Sequence, residues 1–155
     1  MPDQSSSDRI EKEVRLPNPR SRVWRALTDS KQFGEWFGVS LTGPFSPGKA
    51  TGGGFTNKAN QHITLEFAVE AIEPEHRFSF RWHPYALEAN VDYSKEPMTL
   101  VEFTLEDADG GTLLKVVESG FDKIPASRRA KAFEMNSGGW TSQMTRIAKY
   151  VAANP

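Results

Sequence analysis

The sequence predicts an α+β protein in which a curved antiparallel sheet of about six strands wraps round one long C-terminal helix, with two short helices after the first strand. On a helical wheel, residues 125–153 place five apolar side chains in one narrow stripe: Phe133, Trp140, Met144, Ile147 and Val151. A helix of that length spans roughly 40 Å and needs a large apolar partner. The middle of the chain alternates apolar and polar residues with a period of two, which is typical of strands and supplies that partner.

The first third of the chain predicts a strand followed by two short helices. Arg9–Leu16 alternates charged with apolar residues and is therefore predicted to be a strand. Two prolines then flank Asn18, which we expect to cap the first short helix. Ser30 is the expected cap of the second short helix, and Gly38 its end.

The middle of the chain predicts the rest of the sheet, with one long polar insertion. Period-two patterns predict strands at Val39–Thr42, Ala50–Thr56, Ile63–Ala71, Arg77–His83, Met98–Glu106 and Thr112–Ser119. The insertion, Pro84–Pro97, is long for a compact domain and suggests a lid over a pocket.

Composition excludes several classes of protein. Lys plus Arg total 19 against 20 Asp plus Glu, so the net charge of −1 argues against a general nucleic-acid or membrane-surface binder. The chain has no cysteine, which excludes disulfides and thiolate chemistry and makes a cytoplasmic location the default.

We expect a disordered polar tail at residues 1–8, then a single domain over residues 9–153. No apolar run approaches the roughly 20 residues that span a bilayer.

The usual cofactor and metal motifs are also missing from the sequence. His62, His76 and His83 are scattered and lack metal-ligand spacing, so we predict no metal site. The run of three glycines at 52–54 lacks the Gly-Lys-Ser/Thr ending of a phosphate loop, and there is no Gly-x-Ser-x-Gly elbow. We expect no cofactor. The basic residues at 128, 129 and 131 are interpreted as a solvated face of the last helix.

Four motifs carry a resemblance to a known family. They are the run Pro19–Asp29, Glu35-Trp36-Phe37, Glu118-Ser119-Gly120-Phe121, and Gly139-Trp140 in the last helix. In this order they resemble the bacterial, single-domain members of the activator of Hsp90 ATPase homologue family, within the START-like (SRPBCC) superfamily. The resemblance covers nearly everything from Ile10 to Val151 and implies the helix-grip fold, with a deep apolar cavity between sheet and long helix.

Eight apolar side chains are candidates to line such a cavity, and one acidic side chain is a candidate polar anchor. The apolar set is Trp36, Phe37, Phe67, Phe80, Trp82, Phe103, Trp140 and Met144. Ligand sites are apolar hollows with few polar groups, so as a group these residues favour a pocket. For any single residue, simple core filling is at least as good an interpretation.

Glu118 is the ionisable residue whose position matters most. Two apolar pairs compete for the inward face of its strand, Leu113 with Val117 against Leu114 with Val116. If the second pair faces inward, so does Glu118, and Glu118, Arg81 or Tyr93 could then orient the polar end of a ligand. We favour the alternative, in which Glu118 is solvated at the strand end or paired with Arg81.

Gly138 and Gly139 need an explanation, because each glycine inside a helix costs about 1 kcal/mol relative to alanine. We favour close approach of the helix backbone to a neighbouring element. The alternative is a kink that leaves room for a ligand beside Trp140.

Three functions follow, in order of preference. The first is binding of a small hydrophobic or aromatic molecule between the sheet and the long helix. The second is a protein-interaction role of the kind the resemblance implies, with an Hsp90-type chaperone as partner. It ranks lower because the larger eukaryotic members carry a second domain for which 155 residues leave no room. The third is a cofactor-independent cyclase or dehydratase using Glu118 or a tyrosine as acid and base, for which no acid/base pair is visible in the sequence.

Overall fold

A computed structural model of the chain describes residues 8–61, 63–86 and 91–155, and the predicted tail lies outside these residues except for Asp8. The strands are β1 (Arg9–Leu16), β2 (Val39–Leu41), β3 (Ala50–Phe55), β4 (Thr64–Glu73), β5 (Arg77–Trp82), β6 (Thr99–Ala108) and β7 (Gly111–Ser119). The helices are α1 (Arg20–Thr28), α2 (Ser30–Phe37) and α3 (Ala126–Ala153).

The strands form a single antiparallel sheet in the order β1-β7-β6-β5-β4-β3-β2. This confirms the predicted α+β class, with seven strands where about six were expected. The first strand, β1, lies at one edge of the sheet. It pairs with β7 along its whole length. Asp8 extends this pairing, since its carbonyl oxygen accepts hydrogen bonds from the backbone N–H groups of Gly120 and Phe121.

The two short helices lie where the sequence predicted them, but both predicted caps are wrong. Helix α1 begins at Arg20, with Pro19 rather than Asn18 in the cap position and no side-chain hydrogen bond there. Helix α2 is capped by Asp29 instead of Ser30, because the extended backbone of Asp29 lets its carboxylate accept two N–H groups of the first turn. Gly38 ends α2 in the left-handed conformation (φ 92°), as expected.

The long helix buries most of the predicted apolar stripe. Trp140, Met144, Ile147 and Val151 are all buried, whereas Phe133 is half-buried at the edge and packs on Phe121 with ring centroids 5.3 Å apart. Helix α3 lies against β1 and the two short helices.

The ambiguous register of β7 is decided by its pairing with β6. Val101, Phe103 and Leu105 of β6 lie opposite Glu118, Val116 and Leu114. Directly paired residues point to the same face of a sheet. Because Val101, Phe103 and Leu105 point inward, their partners on β7 point inward too. Leu113 and Val117 are therefore only half-buried, and Glu118 points into the protein.

Candidate functional site

A cavity of about 200 Å³ lies between α3, α2 and the neighbouring strand ends. Helix α3 supplies five lining residues, Met135, Asn136, Gly139, Trp140 and Gln143. Met135, Gly139 and Gln143 follow one another at intervals of four, so they share one side of the helix. Opposite them lie Phe37 of α2, Phe55 of β3, Leu65 of β4 and Trp82 of β5.

The residues that follow β5 complete the wall. His83, Tyr85 and Ala86 line the cavity, and Tyr85 has a positive φ of 50°. The predicted lid, Pro84–Pro97, contributes Tyr85 and Ala86 to this wall, although its residues 87–90 lie outside the described part of the chain.

Arg128 holds both ends of this stretch against α3. Its guanidinium forms an ion pair with Glu96 at 2.7 Å, donates to the Pro84 carbonyl at 2.8 Å, and lies 4.8 Å from the centroid of the Tyr93 ring. The Arg128 side chain is only 18% exposed. The prediction that the start of α3 is a solvated basic face is therefore wrong for Arg128, because residues between Pro84 and Glu96 supply it with partners.

Three of the nine predicted ligand-binding residues line the cavity: Phe37, Trp82 and Trp140. Five others lie in the core and are not among the lining residues: Trp36, Phe67, Phe80, Phe103 and Met144. Their rings fill space against each other, as in Phe67 and Phe80 with centroids 4.9 Å apart. Trp36 is in addition tied to α1 through a hydrogen bond from its indole N–H to the Ala26 carbonyl oxygen.

Glu118, the ninth, faces inward and is fully buried, so the preference for a solvated Glu118 was wrong. Arg81 pairs with Glu70 on the outer face of the sheet. Neither Arg81 nor Tyr93 is among the residues that line the cavity.

The Glu118 carboxylate accepts hydrogen bonds from four uncharged side chains. Oε2 accepts from the Trp82 indole N–H at 2.8 Å and from the Thr99 hydroxyl at 2.6 Å. Oε1 accepts from the Trp140 indole N–H at 2.8 Å, and the Asn136 amide donates to both oxygens at 3.0 and 3.2 Å. Three of these donors line the cavity, so one buried carboxylate fixes the orientation of three wall residues.

Burial raises the pKa of Glu118 above its ordinary value, and the four donors partly oppose this by stabilising the ionised form. Glu118 itself is not among the residues that line the cavity. It lies behind Trp82, Asn136 and Trp140, so its role here is to position the wall.

The glycine pair in α3 does not pack closely against anything. A Cβ atom added at Gly138 or Gly139 would meet no atom within 4 Å outside the helix's own neighbouring turns. The interpretation that we favoured, close approach of the helix backbone, is therefore wrong for both. Gly139 is among the residues that line the cavity, whereas Gly138 is not.

Gln143 and His83, two polar residues of the lining, each have a backbone carbonyl oxygen as partner. The Gln143 amide donates to the Phe37 carbonyl oxygen at 3.1 Å, and His83 Nε2 lies 3.2 Å from the Glu96 carbonyl oxygen. Gln143 Oε1 is buried and has no hydrogen-bond partner.

Within the described residues, no group of three or more acidic or histidine side chains is placed to hold a metal ion. His62 lies outside those residues. The described helices include none that is long and apolar enough to cross a membrane.

Sequence reasoning missed most of the polar and peripheral lining, which includes Phe55, Leu65, His83, Tyr85, Ala86, Met135, Asn136 and Gln143. One signal could have found part of it. The spacing of four that joins Met135, Gly139 and Gln143 marks a second face of α3, beside the apolar stripe that contains Trp140.

Comparison with known proteins places the fold among solved structures. DynU16, a protein in the dynemicin biosynthetic locus, is 27% identical with a TM-score of 0.71, and the match covers 95% of this chain but 48% of DynU16, so the chain spans about half of its length. MLL2253 from Mesorhizobium loti is 24% identical with a TM-score of 0.74, covering 95% and 98% of the two chains. The Aha1 dimer from Colwellia psychrerythraea is 15% identical with a TM-score of 0.68, covering 92% and 95%.

The last two likenesses concern the fold alone. No match is found among curated proteins. The family model described as "Activator of Hsp90 ATPase homolog 1-like protein" matches residues 17–152, most of the chain. The chain therefore belongs to the activator of Hsp90 ATPase homolog 1-like family.

Proposed function

We propose that the protein binds a small apolar or aromatic molecule in the cavity beside Trp140. The observation that carries the proposal is the cavity itself, about 200 Å³ in volume and walled by Phe37, Trp82 and Trp140 next to a helical glycine. Small-molecule sites are hollows of this kind, predominantly apolar with a few fixed polar groups. The likeness to DynU16, a protein in a biosynthetic locus, is consistent with a small-molecule ligand.

Binding without chemistry is the function that the geometry supports best. Glu118 is fully buried, and both of its oxygens already accept hydrogen bonds. A proton transfer to a bound molecule would require Trp82, Asn136 or Trp140 to move aside. The cyclase or dehydratase hypothesis therefore loses Glu118, one of the two kinds of residue that it named.

The two glycines of α3 allow a matched test. Gly139→Leu places a side chain in the cavity, and Gly138→Leu places the same side chain in open space away from it. Both replacements improve the helix propensity of α3, so both variants should fold at least as well as the wild type.

The measurements are thermal unfolding and calorimetric titration against a panel of aromatic and aliphatic compounds. A ligand at 100 times its Kd adds about 2.7 kcal/mol of stability, which corresponds to roughly 5–10 °C in Tm for a chain of this size. We expect that shift in the wild type and in Gly138→Leu, and none in Gly139→Leu. Absence of any shift in the wild type, or equal shifts in the two variants, would sink the proposal.

Stimulation of an Hsp90-type ATPase remains a prediction, as does a cytoplasmic location. The support for stimulation of the ATPase is the family description. An ATPase assay with the chaperone from the same source tests it, and an unchanged rate at micromolar protein would remove it.

A further inference from the structure

Glu118 is a fully buried acidic side chain whose hydrogen-bond partners are all uncharged. The donors are Trp82 of β5, Thr99 of β6, and Asn136 and Trp140 of α3. Buried carboxylates are normally paired with a cation, because hydrogen bonds only partly offset the loss of hydration. Within the described part of the chain, this carboxylate therefore lacks the counter-charge that usually accompanies one.

The strand on the other side of Glu118 does not supply that charge either. On β1 the residue directly opposite Glu118 is the apolar Ile10. Lys12 lies two residues further along β1 and is not among the groups that bond to Glu118. A cation that pairs with this carboxylate would have to come from outside the described residues.

The cavity is the space from which such a cation can act. Trp82, Asn136 and Trp140 both line the cavity and bond to Glu118, so one layer of side chains separates the carboxylate from a bound molecule. The effective dielectric constant inside a protein is lower than that of water, so charges attract one another across such a layer. Of the described residues that line the cavity, none is a lysine or an arginine.

Two arginines lie near the cavity without lining it. Arg128 is compensated, because it forms an ion pair with Glu96 at 2.7 Å. The Arg146 guanidinium lies near Gly38, at 3.3 Å from the position that a Cβ would take there. Arg146 is exposed, so water and salt screen its charge much more than that of the buried Glu118. The dominant fixed charge beside the cavity is therefore negative.

The indoles of the wall reinforce this preference. Both indole N–H groups donate to Glu118 at 2.8 Å, so these donors are directed at the carboxylate and are not available to a bound anion. The Tyr85 hydroxyl can donate or accept, so it does not select for either charge. A bound anion would be desolvated next to a second acidic group, with no cation to pair with it.

Five aromatic rings line the cavity: Phe37, Phe55, Trp82, Tyr85 and Trp140. Aromatic rings attract cations through their faces, and sites lined by several rings recognise quaternary ammonium ligands. The volume fits a small ligand of this class. An apolar cavity of roughly 150 Å³ accommodates benzene, so about 200 Å³ suits one ring with a compact substituent.

We propose that the ligand is a small organic cation, an alkylated ammonium with an apolar or aromatic group, and that Glu118 selects its charge from behind Trp82 and Trp140. This rests on the proposed function, since it assumes that the cavity binds a small molecule.

Calorimetric titration with three probes of similar shape tests the charge preference. The probes are phenyltrimethylammonium, its uncharged carbon counterpart tert-butylbenzene, and the anion benzenesulfonate. We expect phenyltrimethylammonium to bind the wild type at least about 10-fold more tightly than benzenesulfonate.

Glu118→Gln removes the charge and keeps the length of the side chain. We expect it to weaken phenyltrimethylammonium by at least about 10-fold and tert-butylbenzene by less than about 3-fold. Tert-butylbenzene is the control here, because its affinity depends on the shape of the cavity and not on the charge beside it.

A pH series replaces this variant if Glu118→Gln weakens both probes alike, which would mean that the wall has moved. Burial raises the pKa of Glu118, so its carboxyl group loses its charge as the pH falls. The series is run in His83→Gln, because His83 lines the cavity and imidazoles also titrate in this range. Affinity for phenyltrimethylammonium should rise by at least about 5-fold from about pH 4 to about pH 8, with tert-butylbenzene unchanged.

The outcomes separate this inference from the proposed function. The inference is overturned, and the proposed function stands, if benzenesulfonate binds as tightly as phenyltrimethylammonium. The same holds if neither Glu118→Gln nor pH changes the affinity for the cation relative to tert-butylbenzene. If none of the three probes binds, the proposed function itself fails.

Discussion

Replacing Glu118 with glutamine tests whether one buried carboxylate holds the cavity wall in place. The indole N–H groups of Trp82 and Trp140 donate to different oxygens of Glu118, both at 2.8 Å. Glutamine has one oxygen and one NH₂ group, and an indole N–H can only donate. Whichever way the glutamine amide is turned, its NH₂ group therefore faces one of the two indole N–H groups.

The expected cost is that of leaving a buried donor unsatisfied, about 1–3 kcal/mol. For a chain of this size, that lowers Tm by roughly 2–12 °C. Urea and thermal unfolding, followed by tryptophan fluorescence, measure the loss. Glu66→Gln is the matched control, because Glu66 is an exposed residue of β4. If Glu118→Gln is as stable as Glu66→Gln, the carboxylate does not organise the wall.

The stability lost in Glu118→Gln should change with pH in one direction. Burial raises the pKa of Glu118 in the folded state above its value in the unfolded chain. The folded wild type therefore binds more protons than the unfolded chain between the two pKa values, and its stability falls as pH rises through that window. Glutamine does not titrate, so the stability difference between wild type and Glu118→Gln should be largest near pH 4 and should shrink towards neutral pH. A difference that grows with pH would mean that the four donors outweigh burial, which would refute this reasoning.

Three further substitutions test how the surrounding structure is held. Asp29→Ala removes the cap of α2 and should cost about 1 kcal/mol in urea unfolding, whereas Asp29→Asn should retain most of that stability. Arg128→Ala frees the stretch that carries Tyr85, so amide hydrogen exchange at residues 85–86 and 91–96 should accelerate; unchanged exchange would contradict the role assigned to Arg128. Gly53→Ala should be strongly destabilising, because the new Cβ would lie 2.1 Å from the carbonyl oxygen of Ser40 on β2. Gly138→Ala, with open space around it, should be neutral or stabilising by up to about 1 kcal/mol.

The fold was largely predictable because its elements carry strong periodic patterns. The stripe on α3 and the alternation along the strands were sufficient to place each α-helix and strand that the structure describes to within a few residues. The inward face of β7 was not predictable from β7 alone, since apolar residues occur on both of its faces. Pairing with β6 decides it, and that pairing brings Glu118 inside.

The lining of the site was less predictable, because hydrophobicity does not distinguish a side chain that fills space from one that borders it. Along β5, Phe78 and Phe80 are fully buried in the packed core, whereas Trp82 at the strand end is 8% exposed and borders the cavity. The three have the same alternation pattern. What separates them is their distance from the open end of the sheet, which depends on the position of α3 and of residues 83–86.

Of the two adjacent glycines in α3, only Gly139 is among the residues that line the cavity. A helical glycine that allows close packing has an obvious structural role, but neither Gly138 nor Gly139 has that role, because a Cβ would fit at both. Gly139 lines the cavity on the same side of α3 as Met135 and Gln143, so we expect a larger side chain there to reduce the space for a ligand. Nothing in the structure explains Gly138. The comparison of leucine at the two positions therefore separates a glycine that maintains the cavity from one that merely weakens the helix.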